Sequence, residues 1–221
     1  MLIPGHRSFP SLPSVPDEVL DSFREAQVAI VSDNMNRLHG TRSLRPFHGS
    51  ARLIGTAVTV KTRPGDNLMI HKAYAALRPG DVLVVDGGGD LNQALVGEIM
   101  MRRAQAIGVA GFVIDGAIRD VAAFVESGFP CFARGVTHRG PYKSGPGEIN
   151  VPVSIDGLVV MPGDLVLGDE DGVVTFDRTV AADLLPLVAA QQAREAEALK
   201  AAREGRSSSY MGLAADKGQP T

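Results

Sequence analysis

The sequence predicts an α/β protein built on parallel βαβ units, and three observations carry that expectation. The segments VLVVD (82–86) and VAGFVID (109–115) are short and almost wholly apolar, as strands buried on both faces must be. Stretches of helical periodicity, LNQALVGEIMMRRAQAIG (91–108) and DVAAFVESG (120–128), alternate with them. The joints are brief and rich in Gly, Pro and Asp. Strand and helix alternating across short turns is the pattern of a parallel sheet with right-handed crossovers. The 221 residues fit one large domain or two small ones, and a single sheet system favours one. We place it at 27–205, after an N-terminal arm and helix (1–26) and before a flexible tail (206–221).

Taken in order, residues 1–16 hold four prolines and predict an extended arm. PDEVLDSFREA (16–26) predicts a short helix, with Pro in the first turn and acids near its start. In QVAIVSDNMNRLHG (27–40) an apolar run is expected first, then an N-cap at Ser32 or Asp33, then a helical turn closed by Gly40. ARLIGTAVTVKT (51–62) has strand composition. RPGDN (63–67) is a turn leading into a helix, LMIHKAYAAL (68–77), and RPGD (78–81) is a second turn. In 91–108 the periodicity turns Leu95, Ile99 and Ala106 toward a sheet and Arg102 and Arg103 toward water. That helix starts either at Leu91 or near Gly97. FPCFARG (129–135) reads as a third strand of the repeat. THRGPYKSGPGEIN (137–150) is a long Gly/Pro loop of the length that functional loops have. From 151 to 178, short strands separated by DG, PGD and DEDG predict antiparallel hairpins. A long helix fills 179–205, and its polar second half suits a surface or a subunit contact.

Composition narrows the function classes. The formal net charge of −3 gives no electrostatic case for a nucleic-acid partner. Cys131 is the only cysteine, so no intrachain disulfide can form and a cytoplasmic home is expected. Its apolar neighbours suggest an inert buried thiol. No run of signal-peptide or membrane-spanning length occurs, so no membrane partner is expected. Gly87–Gly89 are followed by Asp90, which breaks the dinucleotide fingerprint. His71 has no second His at ligand spacing, so a zinc site is not expected and a structural or rim role is. No serine sits in a nucleophile elbow. Asp164, Asp169 and Asp171 read as hairpin-turn residues.

What remains is a small set at the carboxyl ends of the strands, where ligands bind in such sheets. DGGGD (86–90) and DGAIRD (115–120) lie there. Arg119 offers a fork of donors for a carboxylate or a developing enolate oxygen. Asp120, at a helix start, can ligate a hard divalent cation. In a regular helix or strand such neighbours point different ways and would not serve only each other, so the two are expected to be aimed at one small space. Residues Gly97, Glu98, Ile99 and Met100 can present backbone N–H groups to an anion if the helix starts there. Taken singly, each feature has a plainer reading: an Arg-Asp pair is most often a solvated cap, and Glu98 a solvent-facing helix residue.

Together these residues carry a resemblance. RPGDNLMIHKA, RPGDVLVVDGGGD, VGEIMMRRAQAIGVAGFVIDGAIRDV and KSGPGEINVPVSIDGLVVMPGDLVLGDEDGVV resemble the family of 4-hydroxy-4-methyl-2-oxoglutarate/4-carboxy-4-hydroxy-2-oxoadipate aldolases. The family also holds the ribonuclease E regulators (regulator of ribonuclease activity A) and members once labelled demethylmenaquinone methyltransferases. Its aldolases are metal-dependent and marked by an acid, twenty residues, then Arg-Asp; here Glu98 is followed at that spacing by Arg119 and Asp120. The family's acid is typically Asp, so Glu98 is a departure. The resemblance implies a layered α/β/α fold related to swivelling phosphohistidine domains, assembled as a homotrimer or homohexamer with sites between subunits. It implies Mg²⁺ or Mn²⁺ on Asp120, and a 2-oxo acid substrate whose carboxylate is held by the amides of Gly97, Glu98, Ile99 and Met100. It implies Arg119 on the keto oxygen as charge builds there, and Glu98 either holding a metal-bound water or orienting a water that takes the proton from the C4 hydroxyl. The products would be pyruvate and a second 2-oxo acid, with oxaloacetate decarboxylation as a side activity. Glu195 or Glu197 of the last helix could reach a neighbour's metal shell, and a solvated helix face accounts for the same acids equally well. The alternative is a non-catalytic protein-binding regulator of ribonuclease E-type activity.

Overall fold

The computed structural model describes residues 3–206, so the expected tail falls outside the described residues from Ser207 onward. The chain forms β1 (Arg45–Pro46), β2 (Leu53–Thr62), β3 (Asp81–Asp86), β4 (Ala94–Val96), β5 (Gly111–Ile118) and β6 (Cys131–Val136). It continues with β7 (Gly147–Ile149), a hairpin of β8 (Val153–Ile155) and β9 (Leu158–Val160), and a second hairpin of β10 (Leu165–Asp169) and β11 (Gly172–Phe176). The main sheet runs β1-β6-β5-β3-β2-β10-β11, with β4 added beside β5 and β7 beside β2. Strands β2, β3, β5 and β6 are mutually parallel, while β10 and β11 are antiparallel additions. Helices α3 (Leu68–Ala73), α4 (Glu98–Ile107) and α5 (Val121–Ser127) supply the three crossovers. The mixed α/β architecture follows the sequence reading, with hairpins and the long helix α6 (Ala181–Arg203) at its C-terminal end.

The two-residue period of the strands sorts the core into two faces. Leu83, Val85, Phe112, Ile114, Cys131 and Ala133 pack with α3, α4 and α5. Their alternates Val82, Val84, Val113 and Phe132 point the other way, into a cluster completed by Val151, Val153, Ile155, Leu158 and Val160. Leu165, Leu167, Val174 and Phe176 form the third cluster, with α1 (Asp17–Phe23), α2 (Val28–Asn34) and α6. The sheet is rolled around the second cluster. A Cβ on Gly168 in β10 would lie 2.7 Å from the Phe132 ring in β6, although three strands separate the two in sheet order. A six-residue segment closes the roll: Thr41 N–H donates to the Val173 carbonyl (2.9 Å), and Arg45 pairs with Ala133.

Asp156, at the β8–β9 turn, holds that seam. Its carboxylate accepts from the backbone N–H groups of Arg42 and Ser43 and pairs with Arg134 at 3.0 Å. Burial pushes the Asp156 carboxyl up, but the N–H groups, the Ser43 hydroxyl and Arg134 outweigh it and hold the carboxyl below its ordinary range. A depressed folded-state pKa contributes stability that is present above the unfolded value, about 3.9, and lost as pH falls through the folded one. Asp66 and Glu148 are shifted the same way. The melting temperature is therefore expected to drop below about pH 4. Asp156→Asn should be less stable at neutral pH and show a shallower acid drop; a drop of undiminished size would remove Asp156 from the account.

Two local expectations are corrected. The apolar run after Gln27 is itself helical, as α2, and no cap forms at Ser32 or Asp33. Tertiary contacts override the local signal: Val28 and Val31 are buried in the third cluster, and the Val28 N–H is accepted by the Asp169 carboxylate at 2.9 Å. Asp169 is thus more than a turn residue. Of the two starts open to the helix in 91–108 the later one forms, at Glu98, because Ala94 and Val96 pair with Ala117 and Ile118 as β4. That start sets a different phase. Met100, Met101 and Ala104 face the core, while Ile99 (76% exposed) and Ala106 do not.

The N-terminal arm is pinned rather than free. Phe9 N–H donates to the Ile149 carbonyl, Arg7 pairs with Glu148, and Val15 N–H donates to the Thr56 hydroxyl at 2.8 Å. Among the described residues no helix is long and apolar enough to cross a membrane. Cys131 is buried, and that burial pushes its thiol far up.

Candidate active site

A cleft of about 130 Å³ opens where α3, α4, the end of β5 and the 141–143 loop meet. Its first wall is Arg119 and Asp120. The Arg119 N–H donates to the Val96 carbonyl (3.1 Å), which fixes the chain as it leaves β5. Asp120 then adopts a left-handed conformation (φ 58°), one that Asp tolerates better than most side chains. That turn brings two successive side chains to one place, with Arg119 Nε 3.7 Å from Asp120 Oδ2. The two neighbours do meet, and both line the cleft.

The second wall is the start of α4. Gly97 has extended backbone, and the need for glycine comes from crowding: a Cβ there would lie 2.4 Å from Asp120 Oδ2 and 2.9 Å from Arg119 Cγ. Gly97→Ala is therefore expected to displace the pair and lower activity about tenfold with little change in melting temperature. Unchanged kinetics would show that the pair does not depend on this close approach. The Glu98 N–H donates to Asp120 Oδ2 (3.0 Å), and the Met100 N–H to the Gly97 carbonyl (3.1 Å). Among the described residues, the N–H groups of Gly97 and Ile99 have no acceptor.

Glu98 contributes its backbone and not its carboxylate to this wall. The carboxylate lies 3.4 Å from Nε and Nη2 of Arg102, one turn along the exposed face, and does not line the cleft. An i,i+4 pair on a surface helix is enough to account for that placement. Nor do Glu195 and Glu197 line the cleft of their own chain. Both sit on α6, where Glu195 accepts from Gln191 at 2.9 Å.

The third wall holds residues that sequence reasoning did not single out. Asn67, at the start of α3, donates through Nδ2 to the Leu95 carbonyl (2.9 Å), while its buried Oδ1 has no partner among the described residues. Lys143 arrives on the loop, beside Pro141. His71, for which the sequence suggests a structural or rim role, also lines the cleft. Burial pushes its pKa down, and the charges of Lys143 and Arg103 add to that, so the neutral form of the ring is favoured. No linear pattern links Asn67 to Lys143. Their proximity depends on a bridge between Asp66 and Tyr142, which only the folded chain displays.

Two cations, a neutral imidazole, unpaired donors and one carboxylate make a cleft suited to a small anion together with a hard cation. Among the described residues no group of three His, Cys, Asp or Glu side chains could hold a metal. The donor set therefore does not suit zinc, which takes three or four protein ligands. It fits a Mg²⁺-like ion held by one carboxylate, with water and substrate oxygens completing the shell.

Comparison with known proteins fixes the relationship. The family model described as RraA-like, Aldolase/RraA, matches residues 28–175. The chain belongs to the RraA-like family. A Halalkalibacterium halodurans protein, provisionally named 4-hydroxy-4-methyl-2-oxoglutarate aldolase, is 38% identical over 188 residues, covering 85% of this chain and 87% of its own. A Thermus thermophilus protein named 4-hydroxy-4-methyl-2-oxoglutarate aldolase is 38% identical over 130 residues, covering 59% and 79%. A solved structure of the RNA-processing inhibitor RraA, also from Thermus, superposes with a TM-score of 0.64 at 35% identity, covering 69% and 93%. The RraA-like family thus places this chain among relatives with two kinds of name, one for an aldolase and one for an inhibitor of RNA processing. The cleft lies within the matched span, and so do all of its lining residues.

Proposed function

We propose that this RraA-like chain is a divalent-metal-dependent, class II pyruvate aldolase. It would cleave 4-hydroxy-4-methyl-2-oxoglutarate, or 4-carboxy-4-hydroxy-2-oxoadipate, to pyruvate and a second 2-oxo acid, and would decarboxylate oxaloacetate through the same enolate. The observation that carries the reading is the meeting of Arg119 and Asp120 on one cleft whose opposite wall bears Lys143 and a neutral His71. The names of the curated relatives support the same chemistry.

Asp120 would hold Mg²⁺ or Mn²⁺, which when bound supplies Lewis-acid stabilisation of negative charge on substrate oxygen. Arg119 faces the same space, and its guanidinium stabilises the keto oxygen as the C3–C4 bond breaks and electrons move toward it. The free N–H groups of Gly97 and Ile99, at the positive end of α4, suit the substrate carboxylate. Lys143 adds a second cation for the far carboxylate of a dianionic substrate. The Glu98 carboxylate faces Arg102, so the proton from the C4 hydroxyl needs another acceptor or a change of the Glu98 rotamer. The resemblance to the aldolases implies a homotrimer or homohexamer, and the exposed side chains of Val136 and Tyr142 are apolar surface that a second copy could cover.

The test is pyruvate release from 4-hydroxy-4-methyl-2-oxoglutarate and from oxaloacetate, with Mg²⁺, with Mn²⁺ and with chelator. Turnover that chelator abolishes is the expected result. Absence of pyruvate above background with every metal would sink the aldolase reading. The likeness to an RNA-processing inhibitor would then favour a protein-binding regulator, whose ribonuclease binding should survive Asp120→Asn.

A further inference from the structure

Asp66 lies outside the cleft and yet holds two sides of it. Its side chain is wholly buried. Oδ1 accepts the Leu68 N–H at 2.9 Å, one residue beyond Asn67. Oδ2 accepts the N–H groups of Ser144 (2.7 Å) and Gly145 (3.0 Å), immediately after Lys143. Arg63 Nη2 approaches the same oxygen at 3.3 Å. Backbone bonds run alongside: Asn67 N–H to the Tyr142 carbonyl (3.0 Å) and Tyr142 N–H to the Gly65 carbonyl (2.8 Å). The neighbours of Asn67 on one strip of chain and of Lys143 on another therefore hang from a single carboxylate.

We propose that Asp66 is a positioning residue for the reaction assigned above, a clasp that fixes Lys143 relative to Asn67 and His71. It thereby sets the cleft opposite Arg119 and Asp120. The proposal rests on that functional reading for its kinetic consequence, but not for its structural one. Three N–H donors converge on two oxygens, an arrangement that only a carboxylate can satisfy. An amide at this position has one oxygen, so its NH₂ must face either Leu68 N–H or the Ser144 and Gly145 pair, donor against donor. A glutamate keeps both oxygens but displaces them by one methylene. Burial pushes the Asp66 carboxyl up, and the N–H groups and Arg63 more than offset it, so the clasp is ionised across the neutral range.

The test uses the full chain and Asp66→Asn, read by amide hydrogen exchange and by steady-state kinetics. Exchange should quicken over 67–72 and 142–146 and stay unchanged over α4 and α5. KM for the 2-oxo acid should rise about tenfold with kcat less affected, because ground-state placement is loosened while Arg119 and Asp120 stay in place. The deciding measurement is a cycle with Lys143→Met: a clasp that acts through Lys143 costs about twofold or less in that background. Asp66→Glu should recover part of the loss, and it replaces Asp66→Asn in every arm if the amide variant does not fold. Additive costs in the cycle, or exchange that quickens uniformly, would overturn the proposal. Wild-type protein that makes no pyruvate would sink the aldolase reading alone, since the exchange pattern still decides whether the clasp exists.

Discussion

Asp120→Asn is expected to lower metal-supported pyruvate release by about 10³-fold, the equivalent of about 4 kcal/mol of transition-state stabilisation. The amide is the right probe because of the backbone. Position 120 has φ 58°, which Asn accepts and Ala does not accept without strain. The amide oxygen can still receive the Glu98 N–H that Asp120 receives at 3.0 Å. The loop and the start of α5 should therefore persist, and only the charge is lost. With it go the single carboxylate available to a cation in this cleft and the counter-charge 3.7 Å from Arg119 Nε. Raising the metal concentration should recover little. A variant that keeps more than a tenth of wild-type turnover at saturating Mg²⁺ would take the cation away from Asp120.

Arg119→Lys should cost about 10²-fold in kcat, although the charge is kept. A guanidinium presents several donors in a fixed plane, while an ammonium is a compact point charge on a flexible stem. Arg119 is half exposed, so its worth lies in geometry rather than in a desolvated charge. The Arg119 backbone is tied to Val96 by a main-chain hydrogen bond that the substitution leaves alone. Loss in kcat with a small change in KM marks an interaction made mainly in the transition state. Full turnover in the lysine variant would end the role given to the guanidinium.

Much of this fold was legible in the chain. VLVVD and VAGFVID could only be buried strands, and the DG and DEDG turns announced the hairpins. The Arg119-Asp120 dipeptide stood out because charges follow an apolar strand without a break. What was not legible depends on distant partners. The start of α2 is held by Asp169, which lies 141 residues away. The helix in 91–108 has two possible starts, at Leu91 or near Gly97, until β4 is seen beside β5. Asn67 and Lys143 are unremarkable in the sequence, because their meeting depends on a loop whose path no local propensity sets. Glu98 shows the reverse. Its spacing to Arg119 is conspicuous, yet its carboxylate is turned to Arg102.

The closure of the rolled sheet has a consequence for how such a molecule can associate. The outer strands of an open sheet offer rows of bare amides and carbonyls, an invitation to unlimited growth by strand addition. Here the segment from Thr41 to Pro46 occupies part of that margin on both sides, bonding to Val173 at one end and lying beside Ala133 and Phe132 at the other. Any association of this chain is thereby steered away from main-chain zippering and toward side-chain contacts. Such contacts depend on shape, and a self-complementary patch closes on itself where strand addition would continue.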